Sequence, residues 1–217
     1  SGAAVVIYQK IDQVMLGNMI DKTAVGYYSV AGKFTEICLF IPTILSQTIT
    51  PILVKAYHEN IDDYQRKAKS FMNITIWGTI IICIGICLIS NPLIKYTFGT
   101  EYTAATILLQ IMIFKTIGYA CAQITGALIV IEEKQKYVVI RNIIGCIVCI
   151  GLNLLLIPQY GVVGAAIASV ITAISTGYFS HLLIPSYRSY FYTQTYSFLY
   201  GWIYLIQKAF QSVKNQK

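Results

Sequence analysis

Charged residues are scarce in this sequence. They make up 12% of its 217 residues and hydrophobic residues make up 56%, whereas a soluble domain usually carries about 25% charge. The mean hydropathy is +0.64, and no stretch between the apolar segments is long enough to form a soluble domain. The scarcity of charge excludes an ordinary soluble protein. It predicts an all-α membrane protein, because helices satisfy their own backbone polar groups in lipid.

The sequence also lacks the parts of an enzyme site. Its two histidines, His58 and His181, have no Cys or carboxylate at ligand spacing, and we predict that both are solvated polar residues. There is no glycine-rich phosphate loop, and the loops on the outer side are too short to hold an active site. We therefore predict no enzymatic activity, no cofactor and no metal ion.

Six apolar segments are long enough to cross a hydrocarbon core of about 30 Å, which takes roughly 20 helical residues. They lie near residues 3–20, 26–54, 70–94, 104–131, 139–157 and 162–184. The first is the weakest because Lys10 and Asp12 interrupt it, and Pro158 with Gly161 marks a tight turn between the last two. We predict a polytopic bundle of six transmembrane helices over residues 1–185.

The remaining residues, 186–217, form a tail that is rich in aromatic and basic side chains. Its most apolar part, Phe198–Ile206, is too short to span a membrane. Tyr and Trp favour the headgroup level of a bilayer. We therefore predict an interfacial amphipathic helix with a basic cytoplasmic end, and the alternative is a seventh span.

The basic residues predict the orientation. The formal net charge is +7, and eleven of the sixteen Lys and Arg residues lie on one side if the segments alternate. Those eleven are Lys55, Arg66, Lys67, Lys69, Lys134, Lys136, Arg141, Arg188, Lys208, Lys214 and Lys217. The opposite loops hold only Lys22 and Lys95, so the positive-inside rule assigns the eleven to the cytoplasm. This segregation predicts a multi-pass protein without a nucleic-acid partner.

Small side chains within the apolar segments are predicted to serve packing. All six cysteines lie in these segments, where hydrocarbon disfavours the thiolates that redox or metal chemistry needs. Gly161, Ala165 and Ser169 recur at a spacing that permits close helix approach in lipid. We expect a tightly packed bundle there.

Five charged residues inside or at the edges of the apolar segments are the most informative feature: Lys10, Asp12, Lys33, Glu36 and Lys115. A charge at the centre of a spanning helix costs roughly 2.5–3.5 kcal/mol on insertion scales. Five of them facing lipid would cost roughly 12–17 kcal/mol, more than the apolar gain of one helix. We therefore expect them to face a water-filled interior, as in a protein that moves a solute.

The spacing predicts how these charges are paired. Lys33 and Glu36 are three residues apart, so on a helix they share a face and partly neutralise each other. Lys10 and Asp12 point in different directions, so each is expected to have a partner elsewhere. Lys115 lies near the middle of a segment that holds no acid. The alternative is structural ion pairing between helices, or an edge position for Lys10.

Several motifs carry a resemblance to a known family. They are YQKIDQVMLG at 8–17, VGYYSVAGK at 25–33, FGTEYTAA at 98–105, LNLLLIPQYGVVGAA at 152–166 and YRSYFYTQ at 187–194. In this order they resemble lipid-linked polysaccharide flippases, in particular the O-antigen transporter (Wzx-type) group. These belong to the multidrug/oligosaccharidyl-lipid/polysaccharide exporter superfamily.

The resemblance implies a twelve-helix, inverted-V transporter of two six-helix halves, of which this chain looks like the C-terminal half. It implies alternating access through a cationic cavity that carries undecaprenyl-pyrophosphate-linked sugars to the periplasmic leaflet. Lys33, Lys115 and Lys10 are then candidates for headgroup contacts. Asp12 and Glu36 are candidates for coupling or gating acids.

The implied partners are the lipid-linked oligosaccharide, membrane lipids, the missing N-terminal half and the polysaccharide polymerase machinery. The implied location is the bacterial inner (cytoplasmic) membrane, in a pathway such as lipopolysaccharide synthesis. Two alternatives stay open at this point. One is a multidrug or cation-coupled exporter of the same superfamily, and the other is an inactive, truncated remnant.

Overall fold

The computed structural model describes the backbone of residues 2–214 and the side chains of residues 10–207. Every regular element within these residues is helical. The α-helices are α1 (Gly2–Met19), α2 (Lys22–Glu59), α3 (Ile61–Phe98), α4 (Ala105–Met112), α5 (Lys115–Ile131), α6 (Val138–Ile174), α7 (Ser180–Leu183) and α8 (Arg188–Lys214). A π-helical segment, Ser175–Phe179, joins α6 to α7, and short 3₁₀ turns precede α4, α6 and α8.

Four helical stretches are long and apolar enough to cross a membrane: Lys22–Glu59, Ile61–Phe98, Ala105–Ile131 and Gln135–Leu183. The fold is therefore a helical membrane bundle, as the composition predicts. Helix α1 is not among the four, in keeping with the charges that interrupt it. The count of six transmembrane helices stays a prediction.

Helices α2 and α3 almost touch in sequence, with Asn60 alone between them. The Asn60 side chain caps α3, since its oxygen accepts hydrogen bonds from the amides of Asp62 (2.9 Å) and Asp63 (3.1 Å). The stretch 55–69, between the second and third predicted spans, thus continues two long helices that meet at a sharp, capped corner.

Helix α6 folds back on itself at Gly161. Gly161 has φ of 58°, a left-handed conformation that glycine adopts without strain. A Cβ atom at Gly164 would overlap the carbonyl of Leu156, and one at Gly145 would press on Thr176. The two arms of α6 therefore run back along each other in close contact. The expected turn and tight packing are both present here.

The predicted span 104–131 corresponds to the helical stretch Ala105–Ile131, which has a two-residue turn between α4 and α5. Around this turn the amides of Phe114, Thr116 and Ile117 donate to carbonyls three residues back. The thiol of Cys83 donates to the carbonyl of Ile113 (3.4 Å), and that of Cys87 to the carbonyl of Gln110 (3.5 Å). These cysteines therefore satisfy carbonyls near the break, besides packing.

Buried apolar side chains form two main clusters toward opposite ends of the bundle. The first includes Leu16, Tyr28, Ile94, Leu109 and Ile157, and the second includes Leu53, Met72, Ile124, Ile129 and Tyr187. Along α2, Glu36 comes after the residues of the first cluster and before those of the second. Lys115 holds the same intermediate place along α4 and α5. Polar side chains thus lie in a layer between two apolar cores.

The tail forms helix α8, which packs mainly against α3. The Trp77 indole donates to the carbonyl of Ser197 (2.9 Å), and a Cβ atom at Gly201 would press on the same indole. Tyr190 and Gln194 continue this buried face, whereas most of the other aromatic side chains of α8 are exposed. One face of α8 therefore packs on the bundle and the other carries exposed aromatic side chains, and its amphipathic character stays a prediction. Its interfacial position stays a prediction, and residues 215–217 lie outside the described chain.

Candidate functional site

Four of the five predicted charged residues meet at one cavity. Lys10 and Asp12 of α1, Glu36 of α2 and Lys115 of α5 line a space of about 100 Å³. The cavity lies in the polar layer between the two apolar cores. Hydroxyl groups of the second arm of α6 and of the π-helical segment complete its wall: Ser169, Thr172 and Thr176.

Asp12 is the most enclosed of these charges, with 6% of its surface exposed. One carboxylate oxygen accepts a hydrogen bond from the Tyr28 hydroxyl (2.8 Å). The other accepts from the Asn153 amide (2.7 Å) and from the Cys149 thiol (3.2 Å). All three donors are uncharged, so the carboxylate is hydrogen-bonded without an ion pair among the described residues.

This arrangement follows from where the donors lie on their helices. Cys149 and Asn153 are four residues apart on α6 and so share a face, which packs on α1. Tyr28 reaches Asp12 from the first turns of α2. Asp12 therefore ties together α1, α2 and α6. From the sequence, we assign the cysteines, Cys149 included, to packing and give no role to Asn153 or Tyr28, although all three residues lie in apolar segments where a polar atom needs a partner.

Lys10 forms an ion pair with Glu36, with 3.1 Å between the ammonium and a carboxylate oxygen. This corrects the predicted pairing of Lys33 with Glu36. The i, i+3 spacing does permit that pair, but the packing of α1 beside α2 brings Lys10 closer. Both side chains are about half exposed, at 53% and 55%, so this side of the cavity is open to the outside of the bundle.

Lys33 does not line the cavity. It is exposed, and its ammonium lies 5.8 Å from the ring centroid of Phe98, near the end of α3. Phe98 also packs edge-on against Phe34. The structure therefore places Lys33 apart from the other four charges, toward the end of the bundle where the predicted outer loops meet.

Lys115 begins α5, directly after the helix break. Within the part of the chain that the structure describes, its ammonium makes no hydrogen bond and no ion pair. It shares the cavity with Asp12 and Glu36 instead. The formal charges of the four groups balance, with two ammonium and two carboxylate groups. The cavity formed by this chain alone therefore lacks the excess of positive charge that the resemblance implies.

A second charged cluster lies at the other core, where α5 ends. The Glu132 carboxylate accepts from the hydroxyls of Tyr64 (2.8 Å) and Tyr190 (2.6 Å) and from the Lys134 ammonium (2.6 Å). Burial acts to raise the pKa of Glu132, but the hydrogen bonds from Lys134, Tyr190 and Tyr64 outweigh it and lower the pKa below its ordinary value. Burial and the bond to Glu132 raise the pKa of Tyr190.

His181 is fully buried, which corrects the prediction of a solvated side chain. One ring nitrogen lies 3.3 Å from the Thr125 hydroxyl and the other 3.2 Å from the Gln194 side-chain oxygen. The Gln194 amide donates in turn to the carbonyl of Cys121 (3.1 Å). This network anchors α8 to the bundle. Among the described residues, no group of three or more His, Cys, Asp or Glu side chains is placed to hold a metal ion.

Fold and site together define a class: a multi-pass helical membrane protein with a charged cavity between two apolar cores. Residues 1–107 match a family described as polysaccharide biosynthesis protein. A probable low-salt glycan biosynthesis flippase of the archaeon Haloferax volcanii is 25% identical over 181 residues, which are 81% of this chain and 38% of that protein. The chain thus spans well under half the length of this relative. Both similarities support a relationship to polysaccharide flippases, which are transporters.

The family match has a bearing on the candidate residues. Residues 1–107 include Lys10, Asp12, Lys33 and Glu36, whereas Lys115 lies beyond the match. Lys115 is therefore a candidate through its place in the cavity alone.

Proposed function

We propose that this chain is part of a flippase that moves an undecaprenyl-pyrophosphate-linked oligosaccharide to the outer leaflet by alternating access. The cargo would be the repeat unit of O-antigen or a similar surface polysaccharide. The observation that carries the proposal is the cavity where Lys10, Glu36 and Lys115 meet beside Asp12, between two apolar cores. A pyrophosphate and its sugars must be shielded from hydrocarbon, and ammonium groups form strong, charge-assisted hydrogen bonds with phosphate oxygens.

Lys115 is the best-placed headgroup ligand. Its ammonium has three N–H donors, and no described side chain takes them up in an ion pair. Lys10 is engaged with Glu36, but an ion pair with both partners half exposed contributes little and exchanges readily. An arriving phosphate can therefore take Lys10 from Glu36 and bind Lys115 at the same time. Lys33, nearer the outer end, would receive the headgroup as it leaves.

Asp12 suits the role of a coupling acid. It joins three helices through one carboxylate, so a change in its charge acts on all three contacts at once. Protonation or cation binding at Asp12 would weaken its hold on Tyr28 and Asn153. This would change how α1 and α2 lie against α6, and hence which side of the cavity is open. Glu36, once released by Lys10, would be a second gating acid.

The cavity is too small to hold a glycan headgroup alone. About 100 Å³ accommodates a few water molecules, each of which takes up about 30 Å³. Lys10 and Glu36 are half exposed on its open side, where contact with lipid would be costly. We therefore propose that an opposing set of helices, the N-terminal half of a twelve-helix transporter, covers this face and completes the path. In this arrangement α1, α2, α3, α4 with α5, and the two arms of α6 are six spans.

The comparisons favour this function over a multidrug exporter, because both name polysaccharide or glycan biosynthesis. They also bear on location. The relative is archaeal, so the bacterial inner membrane rests on the resemblance of the motifs. O-antigen as the cargo rests on the same resemblance.

The test is transport in the organism that carries the gene. Lys115→Ala and Asp12→Asn are introduced at the chromosomal locus, with Lys55→Ala as the matched control, since Lys55 is exposed and forms an ion pair with Glu59 on the surface. We expect both cavity variants to reduce surface polysaccharide at least tenfold and to accumulate its lipid-linked precursor, with protein levels unchanged. Normal surface polysaccharide in both variants would overturn the proposal, and would also be the result for an inactive remnant.

A further inference from the structure

A second cleft, about 600 Å³ in volume, lies at the end of the bundle far from the charged cavity. Its walls come from the corner of α2 and α3, the end of α5 and the start of α8. Those segments contain the predicted cytoplasmic loops 55–69 and 132–138 and the beginning of the tail. The three meet at one end of the fold, which places the cleft at the level of the cytoplasmic lipid headgroups if the predicted orientation holds.

The lysines of this cleft keep free N–H donors, whereas the oxygens of its one carboxylate are already engaged. The two oxygens of Glu132 already accept from Tyr64, Tyr190 and Lys134. Lys134 uses one of its three N–H donors on Glu132 and keeps two. The Lys69 ammonium lies over the face of the Tyr196 ring, 3.9 Å from the ring centroid. This contact leaves N–H groups of Lys69 available to a ligand.

The backbone beside the cleft is held in an unusual conformation. Glu133 has φ of 57°, a left-handed value that is uncommon for residues other than glycine. This turn lets the amide of Lys134 donate to the carbonyl of Ile129 (2.9 Å) and brings the Lys134 side chain back beside Glu132. The bonds from Lys134 to Ile129 and from Glu133 to Val130 form a Schellman ending of α5, which sets where Lys134 lies.

The other walls are apolar or aromatic. Ala68, Met72 and Leu128 line the inner side of the cleft, next to the apolar core, and Tyr57 lines the outer side. A ligand with a phosphate at one end and a hydrocarbon chain at the other matches this division. A free, uncharged sugar would leave the two ammonium groups without an anionic partner, which suits the cleft less well.

We propose that this cleft binds the phosphodiester headgroup of an anionic membrane phospholipid, through Lys69 and Lys134. The net formal charge of Lys69, Lys134 and Glu132 is +1, which complements the single negative charge of such a headgroup. Tyr64 and Tyr190 hold Glu132 beside Lys134, where its carboxylate opposes the binding of an anion. The site would fasten the cytoplasmic end of the bundle and α8 to the inner leaflet. It goes beyond the proposed flippase function and does not require transport.

The probe is phosphatidylglycerol added to the purified, delipidated full-length protein in detergent, with retention followed by native mass spectrometry. Phosphatidylcholine and inorganic phosphate are the comparison ligands. We expect phosphatidylglycerol to be retained at least fivefold more than phosphatidylcholine, and millimolar inorganic phosphate not to displace it. Displacement by inorganic phosphate would indicate a free-phosphate site and overturn the lipid assignment.

Three variants sharpen the test. Lys69→Ala with Lys134→Ala should lose roughly tenfold or more in retention, since each cation near a headgroup strengthens binding several-fold, whereas Lys55→Ala should match the wild type. Glu132→Gln should bind phosphatidylglycerol more tightly, because it removes the only negative charge of the trio while the side chain keeps its size and one acceptor oxygen. Thermal unfolding confirms that each variant is folded.

The sign of the Glu132→Gln effect is decisive. Weaker retention in Glu132→Gln would mean that the carboxylate itself binds the ligand, as an amine or sugar site would require, and would overturn the proposal. So would wild-type retention in the double lysine variant. Transport by the double lysine variant is measured separately, so a failure here leaves the charged cavity and its proposed role untouched.

Discussion

Two carboxylates lie within otherwise apolar parts of this bundle, and they are compensated in different ways. Glu132 accepts from two tyrosines and from the Lys134 ammonium, so its charge is balanced on the spot. Asp12 accepts from a tyrosine, an amide and a thiol, and the nearest cations lie across a cavity. A charge that is balanced locally costs little to keep and changes little. A charge balanced only across a cavity responds to what enters that cavity.

The two carboxylate clusters therefore have different roles in the molecule. The Glu132 cluster joins α3, α5 and α8 and is a fixed corner of the fold. The Asp12 cluster joins α1, α2 and α6 around a space that Lys10, Glu36 and Lys115 share. Of the two, the second is the one that an ion or a phosphate can alter.

The largest expected effect comes from removing the acceptor at Asp12. Asp12→Ala removes the acceptor of the buried Tyr28 hydroxyl and one of the two acceptors of the Asn153 amide, at about 1–3 kcal/mol for each lost bond. We expect a fall of several degrees or more in the melting temperature of the purified protein. Asp12→Asn is the control. It keeps one acceptor oxygen, so its melting temperature should fall less than that of Asp12→Ala. A melting temperature unchanged in Asp12→Ala would show that Asp12 does not tie the three helices together.

Removing the acceptor at Glu132 should have a smaller effect. Glu132→Ala leaves Tyr64, Tyr190 and Lys134 without their common acceptor, but this corner is at the end of the bundle, where water can replace it. We expect the free energy of unfolding to fall by about 1–3 kcal/mol. This decrease should be smaller than the decrease for Asp12→Ala in the same thermal assay. A larger loss of stability in Glu132→Ala than in Asp12→Ala would contradict the different roles inferred for the two carboxylates.

Acid should weaken the Glu132 corner in particular. The pKa of Glu132 is lower in the folded protein than its ordinary value of about 4.3. Its contribution to the free energy of unfolding is therefore fully present above that ordinary value. The contribution is lost as the pH falls through the folded pKa. The wild type should therefore lose stability on acidification below about pH 4. Glu132→Gln should lose less over the same range in pH-dependent melting. Equal slopes for the two proteins would contradict the local compensation of Glu132.

The smallest effect is expected at Lys33. It is exposed and contacts only the Phe98 ring in the described structure, an interaction of about 0.5–1 kcal/mol at exposed sites. Lys33→Ala should leave the melting temperature unchanged and reduce surface polysaccharide less than Lys115→Ala does. Loss of transport equal to that of Lys115→Ala would place Lys33 on the path together with the cavity.

Much of the fold follows from composition and from a few punctuating residues. Hydrophobicity predicts the membrane helices, Pro158 and Gly161 predict the turn within α6, and the cost of charge in lipid predicts that ionised groups gather. Each of these features depends on the residue itself or on its near neighbours in the chain, so it can be predicted from the sequence directly.

The partners of the charges could not be predicted in the same way. Lys10 rather than Lys33 meets Glu36 because of how α1 is rotated against α2, which depends on the packing of the whole bundle. Asp12 takes its donors from positions 16, 137 and 141 residues further along. His181 is buried because Thr125 and Gln194 approach it from other helices. The break before Lys115 has no Pro or Gly to signal it, and thiols of α3 stabilise it.

The proposed transport function depends most on the water content of the charged cavity. The direct measurement introduces Lys115→Cys and Glu36→Cys separately and exposes membranes to a hydrophilic thiol reagent, with labelling of each peptide read by mass spectrometry. The buried native thiols of Cys83 and Cys121 are internal controls. We predict that both introduced thiols react while the two controls do not. Introduced thiols as unreactive as Cys83 would show a dry cavity and contradict a polar path through this bundle.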